Sequence, residues 1–305
     1  MLADRRPASL YLRPAMRTAG TGLVRGIAAA CLLSGTVLLV DAALVEPDWV
    51  ELTHHLEYVP SLRRSAPDLV VVHLSDPHVE GMGRRERLAL ERIAACRPDL
   101  VAVTGDLVRG GSNLEALEAF LAALPERRTF VVWGNHDHAS GLAGPAGRAL
   151  LQRAGVVLLD NEHRRIATAA GPVIVAGVDD PSIGLDNLAR ALAGVARGDL
   201  TLLLSHSPEI AGALGNRDVD LMLSGHTHGG QVRLPLLGAI LLPDGTRLFE
   251  DGWFDADGGA RLHVSRGLGW SGLPVRFLCR PRIDVITLRG GAPPSPPHRR
   301  RSNAA

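Results

Sequence analysis

The sequence predicts an α/β fold, a mixed sheet system flanked by helices, on three observations. Continuous apolar runs such as Asp68-Leu-Val-Val-Val-His-Leu-Ser75 lack alternation, as strands buried on both faces do. Segments with apolar residues at helical spacing follow these runs one by one. After His228 the texture changes to short strand-like pieces broken by Asp-Gly, Gly-Gly and Pro, which predict antiparallel hairpins.

In order, residues 46–65 read as a lead-in strand and a loop, and 68–75 as the first buried strand. Residues 84–96 carry Leu88, Leu90, Ile93 and Ala94 on one helical face. Strand 100–104 follows, then a helix over 114–124 that stops at Pro125, whose ring cannot continue it. A third strand spans 129–133, a short helix 148–154, and strands lie near 156–159 and 173–178. Residues 187–195 read as helix, and 200–204 and 221–223 as strands. Strand-like pieces at 239–242, 247–250, 261–265 and 283–288 end the pattern.

The 305 residues are 46% hydrophobic, enough for one large domain, and with aromatics at 4% the core rests on Leu, Val, Ile and Ala. A net charge of +1 offers no broad electrostatic footprint for nucleic acid, so no nucleic-acid partner is expected. The three Cys form neither a disulfide framework nor a zinc-ribbon spacing. Cys31 lies in the N-terminal apolar run, while Cys96 and Cys279 read as buried thiols, with a single bridge between them the alternative.

The organisation read from the chain is a signal anchor or transmembrane segment over 1–45, a catalytic domain over 46–289 and a disordered tail over 290–305, rich in Pro, Arg and small residues. Arg5, Arg6, Arg13, Arg17 and Arg25 precede a charge-free stretch from Gly26 to Val40. A spanning helix needs roughly 20 apolar residues, a length reached here with Arg25 or Asp41 at an interface. A cleavable signal peptide and a buried globular helix compete with the anchor, and Val40-Asp41-Ala42 is a passable cleavage site. Positive charge ahead of the run places the body outside the cytoplasm, at the cell membrane.

The chemistry sits in short polar clusters at the tips of apolar runs: Asp76-Pro77-His78, Gly105-Asp106, Gly134-Asn135-His136-Asp137, Ser205-His206-Ser207 and Gly225-His226-Thr227-His228-Gly229-Gly230. Each alone has a plain structural explanation as a turn, a cap or a core histidine. Together they fall at the carboxyl ends of the expected strands, where sites gather in open α/β sheets. Carboxylate and imidazole groups suit Mn, Fe or Zn, and the Asn135 amide oxygen adds a further donor. Asp106 follows a glycine at a strand tip, and its carboxylate can bridge two metals, one oxygen to each ion. Seven such groups in one crevice predict a dinuclear centre and hydrolysis by metal-activated water.

The order Asp-x-His, Gly-Asp, Gly-Asn-His-Asp, His, Gly-His-x-His resembles the calcineurin-like metallophosphoesterase superfamily over roughly residues 69–230. The ending His-Thr-His-Gly-Gly-Gln231, with Val264-Ser-Arg-Gly-Leu-Gly269 and Cys279-Arg-Pro281, is similar to a bacterial membrane-anchored phosphodiesterase branch. That branch carries an acidic residue after the equivalent of Pro281, where this chain has Arg282. The resemblance implies two mixed β-sheets packed as a sandwich and flanked by helices, and two divalent metal ions (Mn, Fe or Zn). It implies that Asp76, His78 and His228 hold the first metal and Asn135, His206 and His226 the second, with Asp106 bridging. His136 is then a catalytic non-ligand facing the phosphate. Two cations about 4 Å apart acidify a bridging water for in-line attack on phosphorus and clamp the phosphate oxygens. His136 stabilises those oxygens or protonates the leaving oxygen. Asp137 is either a partner that orients a histidine or a helix-start cap.

A phosphodiester or pyrophosphate is the expected substrate, and a membrane anchor favours a lipid-linked or envelope one, by analogy with related lipid A precursor pyrophosphatases. Preference depends on loops at 80–85, 139–147 and 231–237, and Arg266 and Gln231 read as either substrate contacts or structural residues. Two other classes are alternatives. An amidohydrolase-like dinuclear enzyme typically places His-x-His on its first strand, unlike this order. A non-catalytic metal scaffold is signalled by missing ligands, and none is missing here.

Overall fold

The computed structural model describes residues 18–111 and 113–292, and divides into two compact units between Asp41 and Ala42. The arginine-rich start at 1–17 and nearly all of the expected tail, 293–305, lie outside the described residues.

In the first unit, helix α1 (Thr18–Val40) has no amphipathic stripe, and Leu23, Ile27, Leu32, Leu33 and Leu39 are all exposed. An 18-residue window within Gly22–Asp48 has a mean hydropathy of 2.1 and is 6% buried, and the helix is long and apolar enough to cross a membrane. The buried-core-helix alternative is therefore corrected, because its side chains have no core around them.

The second unit is a two-sheet sandwich. The first sheet takes β1 (Glu51–Val59), β2 (Leu69–Leu74), β3 (Leu100–Thr104), β4 (Thr129–Val132) and β5 (Val157–Leu158). The second takes β6 (Glu162–Thr168), β7 (Gly171–Gly177), β8 (Leu200–Leu204) and β9 (Leu221–Ser224). A small hairpin of β10 (Arg233–Leu234) and β11 (Gly238–Ala239) follows, then β12 (Gly252–Asp255) and β13 (Arg261–Val264) on the second sheet. The chain returns to the first sheet as β14 (Arg282–Gly290). The orders are β1-β14-β2-β3-β4-β5 and β12-β13-β9-β8-β7-β6.

Alternation along each strand builds the layers. Leu69 and Val71 of β2, Leu100 and Ala102 of β3, and Phe130 and Val132 of β4 point inward, against Val173, Val175, Leu202, Leu204 and Leu223 of the second sheet. Their neighbours Val72, Leu74, Val101, Val103 and Val131 point outward, under α2 (Arg84–Cys96), α3 (Leu114–Ala122) and α5 (Pro145–Arg153). Because both faces are covered, these strands read as unbroken apolar runs. Asn113 caps α3, its side chain accepting from the backbone N–H groups of Glu115 at 3.0 Å and Ala116 at 3.1 Å.

Several expectations need correction. The helix over 187–195 shrinks to α6 (Leu188–Ala191), its far half turning at Gly194 with a positive φ. Residues 247–250 form no strand, and 239–242 contribute only the end of β11. Beyond His228 the hairpin expectation holds for β10–β11 and β12–β13, but β13 runs parallel to β9 and β14 parallel to β1. Strands β6 and β12 were missed; β6 is a sheet-edge strand with polar, half-exposed residues. Cys96 and Cys279 are free thiols, so the alternative of a bridge does not hold.

Candidate metal centre

Strands β2, β3 and β4 are mutually parallel, as are β8 and β9, so their carboxyl ends share an edge in each sheet. Asp76 and His78 follow β2, Asp106 follows β3, Asn135 opens α4 (Asn135–Ala139) after β4, His206 follows β8, and His226 and His228 follow β9. Asp76, His78, Asp106, His226 and His228 all take positive φ, between 41° and 69°. For residues with a Cβ this costs roughly 1–2 kcal/mol each, strain that clusters at functional sites. Close backbone approach is also required. A Cβ on Gly225 would collide with Ser75 Oγ and Asp76 Oδ2, and one on Gly134 with the Asp106 carboxylate.

All the expected ligands come together, in two groups sharing one residue. Asp76, His78, Asp106 and His228 form the first, and Asp106, His206 and His226 the second. In the first, His78 Nε2 lies 3.3 Å from His228 Nε2 and 3.5 Å from Asp106 Oδ2, and His228 Nε2 lies 3.4 Å from Asp76 Oδ1. In the second, His206 Nε2 lies 3.0 Å from His226 Nδ1, 3.1 Å from Asn135 Oδ1 and 3.4 Å from Asp106 Oδ2. Asp106 Oδ1 accepts the His136 backbone N–H at 2.9 Å, and Oδ2 lies within 3.5 Å of imidazole nitrogens of both groups.

The donor set fits cations. His78 Nδ1 faces the Val108 carbonyl at 3.2 Å and His206 Nδ1 the Thr104 carbonyl at 2.9 Å. A carbonyl only accepts, so both Nδ1 atoms carry hydrogen and both Nε2 atoms present lone pairs. Those lone pairs point at carboxylate and amide oxygens and at other ring nitrogens, a convergence of acceptors that a divalent cation satisfies. Burial pushes His78 and His226 down to about 3, and pushes Asp76 up to about 6. Burial also opposes charge on His206, but the Asp106 carboxylate outweighs it and lifts that imidazole well above its ordinary range. The negative charge of Asp106 thus favours a positive charge at His206 in the second group, the place a cation would take.

His136 stands outside both groups. Its ring packs edge-on to His78 with centroids 5.0 Å apart, and its Nε2 lies 3.3 Å from Ser271 Oγ. Asp137 acts as the cap. Its Oδ2 accepts from Gly134 N at 3.0 Å, and its Oδ1 from Leu107 N at 2.8 Å and Val108 N at 3.3 Å. It thereby ties the loop after β3 to the start of α4. Gln231 is a brace, donating to Ser271 O at 2.9 Å and accepting from Ser271 N. Arg266 is structural, its Nε 2.8 Å from Asp251 Oδ2. Arg282 sits 2.8 Å from Asp284 and 2.7 Å from Asp251, so two carboxylates absorb its charge.

A buried polar chain behind Asp76 went unread in the sequence. Thr104 Oγ1 donates to Ser75 Oγ at 2.7 Å, and Ser75 Oγ donates to Asp76 Oδ2 at 2.5 Å. With those hydrogens committed, Thr104 accepts from His73 Nε2 at 2.9 Å, and His73 Nδ1 accepts from His263 Nδ1 at 3.3 Å. His55, His263 and Asp284 also lie close enough to suggest a separate cation site. Trp253 Nε1, which only donates, points at His55 Nδ1 at 3.1 Å and so leaves the hydrogen on His55 Nε2, which donates to Asp284 Oδ1 at 3.2 Å. That nitrogen has no lone pair to give, and Arg282 already supplies the positive charge at Asp284. The cluster is an ion-pair network.

A model of the calcineurin-like phosphoesterase family matches residues 69–230. The chain is 30% identical over 255 residues to the uncharacterized metallophosphoesterase YkuE of Bacillus subtilis, covering 81% of this chain and 88% of that one. It is 30% identical over 264 residues to phosphodiesterase YaeI of Escherichia coli, covering 80% and 90% respectively. A zebrafish (Danio rerio) transmembrane protein with metallophosphoesterase domain is 30% identical over 250 residues, covering 76% of this chain and 55% of that protein.

Proposed function

From the premise that the chain belongs to the calcineurin-like phosphoesterase family, we propose that it hydrolyses a phosphodiester or pyrophosphate bond at the Asp106-centred crevice. It is a metal-dependent phosphoesterase. Asp76, His78, His228 and Asp106 hold one divalent ion, and Asn135, His206, His226 and Asp106 the other, with Mn, Fe and Zn all suited to the donors. The chemistry supplied by the bound ions is activation of water and neutralisation of the phosphoryl oxygens.

The chain's own residues do the rest. Asp106 and Asp76 supply the negative charge that holds the ions, and Asp76 is itself fixed by Ser75 Oγ and by the His226 backbone N–H at 3.1 Å from its Oδ2. His136, anchored through its backbone to Asp106 Oδ1, aims its ring into the cavity and holds a proton at Nε2 for the leaving oxygen. The N-terminal segment anchors the protein at the cell membrane, with the catalytic unit outside the cytoplasm; the arginines ahead of the apolar run support that siting. The name of the zebrafish relative is in keeping with membrane attachment.

The observation that carries this reading is the single Asp106 oxygen, Oδ2, within 3.5 Å of imidazole nitrogens on both sides. Release of p-nitrophenol from bis-p-nitrophenyl phosphate by the Mn-loaded full chain tests it. Turnover lost on chelation and restored by metal supports the reading. No turnover of any phosphate ester by metal-replete protein defeats it.

A further inference from the structure

Over the candidate metal centre opens a cavity of about 690 Å³. Its two sides differ. Asp106, Asn135, His136, His226 and His228 form one side. Val232, Ile240, Leu241, Leu242, Leu273 and Val275 supply its apolar lining, with Thr227, Gln231 and Ser271 also at the wall. Three of these large apolar side chains stand open to solvent, Leu241 at 77%, Leu273 at 73% and Ile240 at 54%. The apolar character continues outward along the β10–β11 hairpin, where Leu237 is 78% exposed and Leu236 fully so. An exposed apolar patch of this kind marks a binding surface. This one is continuous with the phosphoester-binding side of a single cavity.

The phosphoryl group alone needs only the polar side. A sugar or nucleoside would need free hydrogen-bonding groups; of the other polar lining residues, Gln231 is bound to the Ser271 backbone and Ser271 Oγ lies 3.3 Å from His136 Nε2, while the rest of the lining away from the ligand candidates is mainly aliphatic. The same chain holds a segment able to cross a membrane, which brings the protein to lipid. We infer that the Ile240–Leu241 and Leu273 wall seats the aliphatic chain of an amphipathic phosphoester, whose phosphate lies at the Asp106-centred crevice. This rests on the phosphodiesterase reading and narrows its substrate to esters bearing a long hydrocarbon chain. The residues that set chain preference are Ile240, Leu241 and Leu273, none of them a metal-ligand candidate.

The test compares methyl, butyl and octyl p-nitrophenyl phosphates, below micelle-forming concentrations, with Mn-loaded full chain kept soluble in amphipol. Each turnover consumes one water, breaks the P–O bond to nitrophenol and leaves the alkyl phosphate. The inference expects kcat/KM to rise by about tenfold or more from methyl to octyl, as apolar chain leaves water. In the double variant Leu241→Asp, Leu273→Asp the octyl-to-methyl ratio falls to within about threefold of unity. Both side chains face solvent, so the fold tolerates the exchange. A flat series with sound turnover of the methyl ester overturns the apolar seat and leaves the phosphodiesterase reading standing. A slope that survives in the double variant overturns the assignment to this wall. Failure to hydrolyse any of the three esters overturns the phosphodiesterase reading, and this inference with it.

Discussion

Asp106 Oδ1 accepts the backbone N–H of His136 at 2.9 Å, and its Oδ2 lies 3.5 Å from His78 Nε2 and 3.4 Å from His206 Nε2. The residue that joins the two ligand groups is therefore also the residue that fixes the backbone of the candidate acid. On the proposed reading ligation and proton transfer meet at a single side chain, yet they remain separable by mutation, because the His136 ring makes no hydrogen bond to either Asp106 oxygen.

Replacing His136 by Ala is expected to cut kcat on bis-p-nitrophenyl phosphate by about 10²–10⁴-fold, the usual contribution of a positioned acid. The metal content should not change, since His136 stands outside both ligand groups. Turnover paired with metal analysis of the same preparation checks this. A variant that loses its metal would place His136 among the ligands instead.

Ser75→Ala removes the hydroxyl that donates to Asp76 Oδ2 and cuts the chain to Thr104 and His73. Metal affinity is expected to fall by about 10–100-fold, the scale on which outer partners of ligands act. Competition with a chelating dye reads this directly, without reference to turnover. An unchanged affinity would make the buried chain a matter of core packing only.

Burial pushes His73 down to about 4 and His263 down to about 3. Both rings are neutral when folded but take up protons near pH 6.5 when unfolded, so their contribution is full above pH 6.5 and is lost as pH falls towards 3. Each ring removes about 1.4 kcal/mol per pH unit over that window. Between pH 6.5 and 5, His263→Gln is expected to lose about 2 kcal/mol less stability than the parent chain, measured as urea midpoints at each pH. Equal losses in the two proteins would show that the ring is already charged in the fold.

Gly225→Ala forces a methyl group against Ser75 Oγ and Asp76 Oδ2. Strain of this kind costs about 1–3 kcal/mol and displaces a ligand carboxylate. A lower melting temperature together with weaker metal binding is the expected pair of outcomes, followed by thermal melts with and without metal. A melt identical to the parent would mean that β2 and β9 sit further apart than described.

The candidate ligand residues were legible because each stands where an unbroken apolar run stops. Such runs mark strands buried on both faces, and their carboxyl ends are where a polar residue reaches a shared crevice. The sandwich followed from the family resemblance and is borne out by the inward and outward alternation of β2, β3 and β4. The buried pairing of His73 with His263 was hidden because it joins positions 190 residues apart, on facing sheets, and no spacing records it. Strand β6 escaped because an edge strand needs no apolar face of its own on the outside. The Leu241 and Leu273 wall escaped for the opposite reason: exposed leucines in a loop and buried leucines in a core look the same until the chain is folded. Asp137 resolved in favour of the cap, since its three backbone N–H partners leave it no histidine to orient.

Metal counting on the full chain is the most direct test of the dinuclear centre. After loading with Mn and removal of free ion, elemental analysis is predicted to find close to two metal ions per chain. Asp106→Asn should lower that number, because Oδ2 lies within 3.5 Å of imidazole nitrogens of both groups. An unmutated chain that holds no Mn, Fe or Zn under any loading condition would contradict the account.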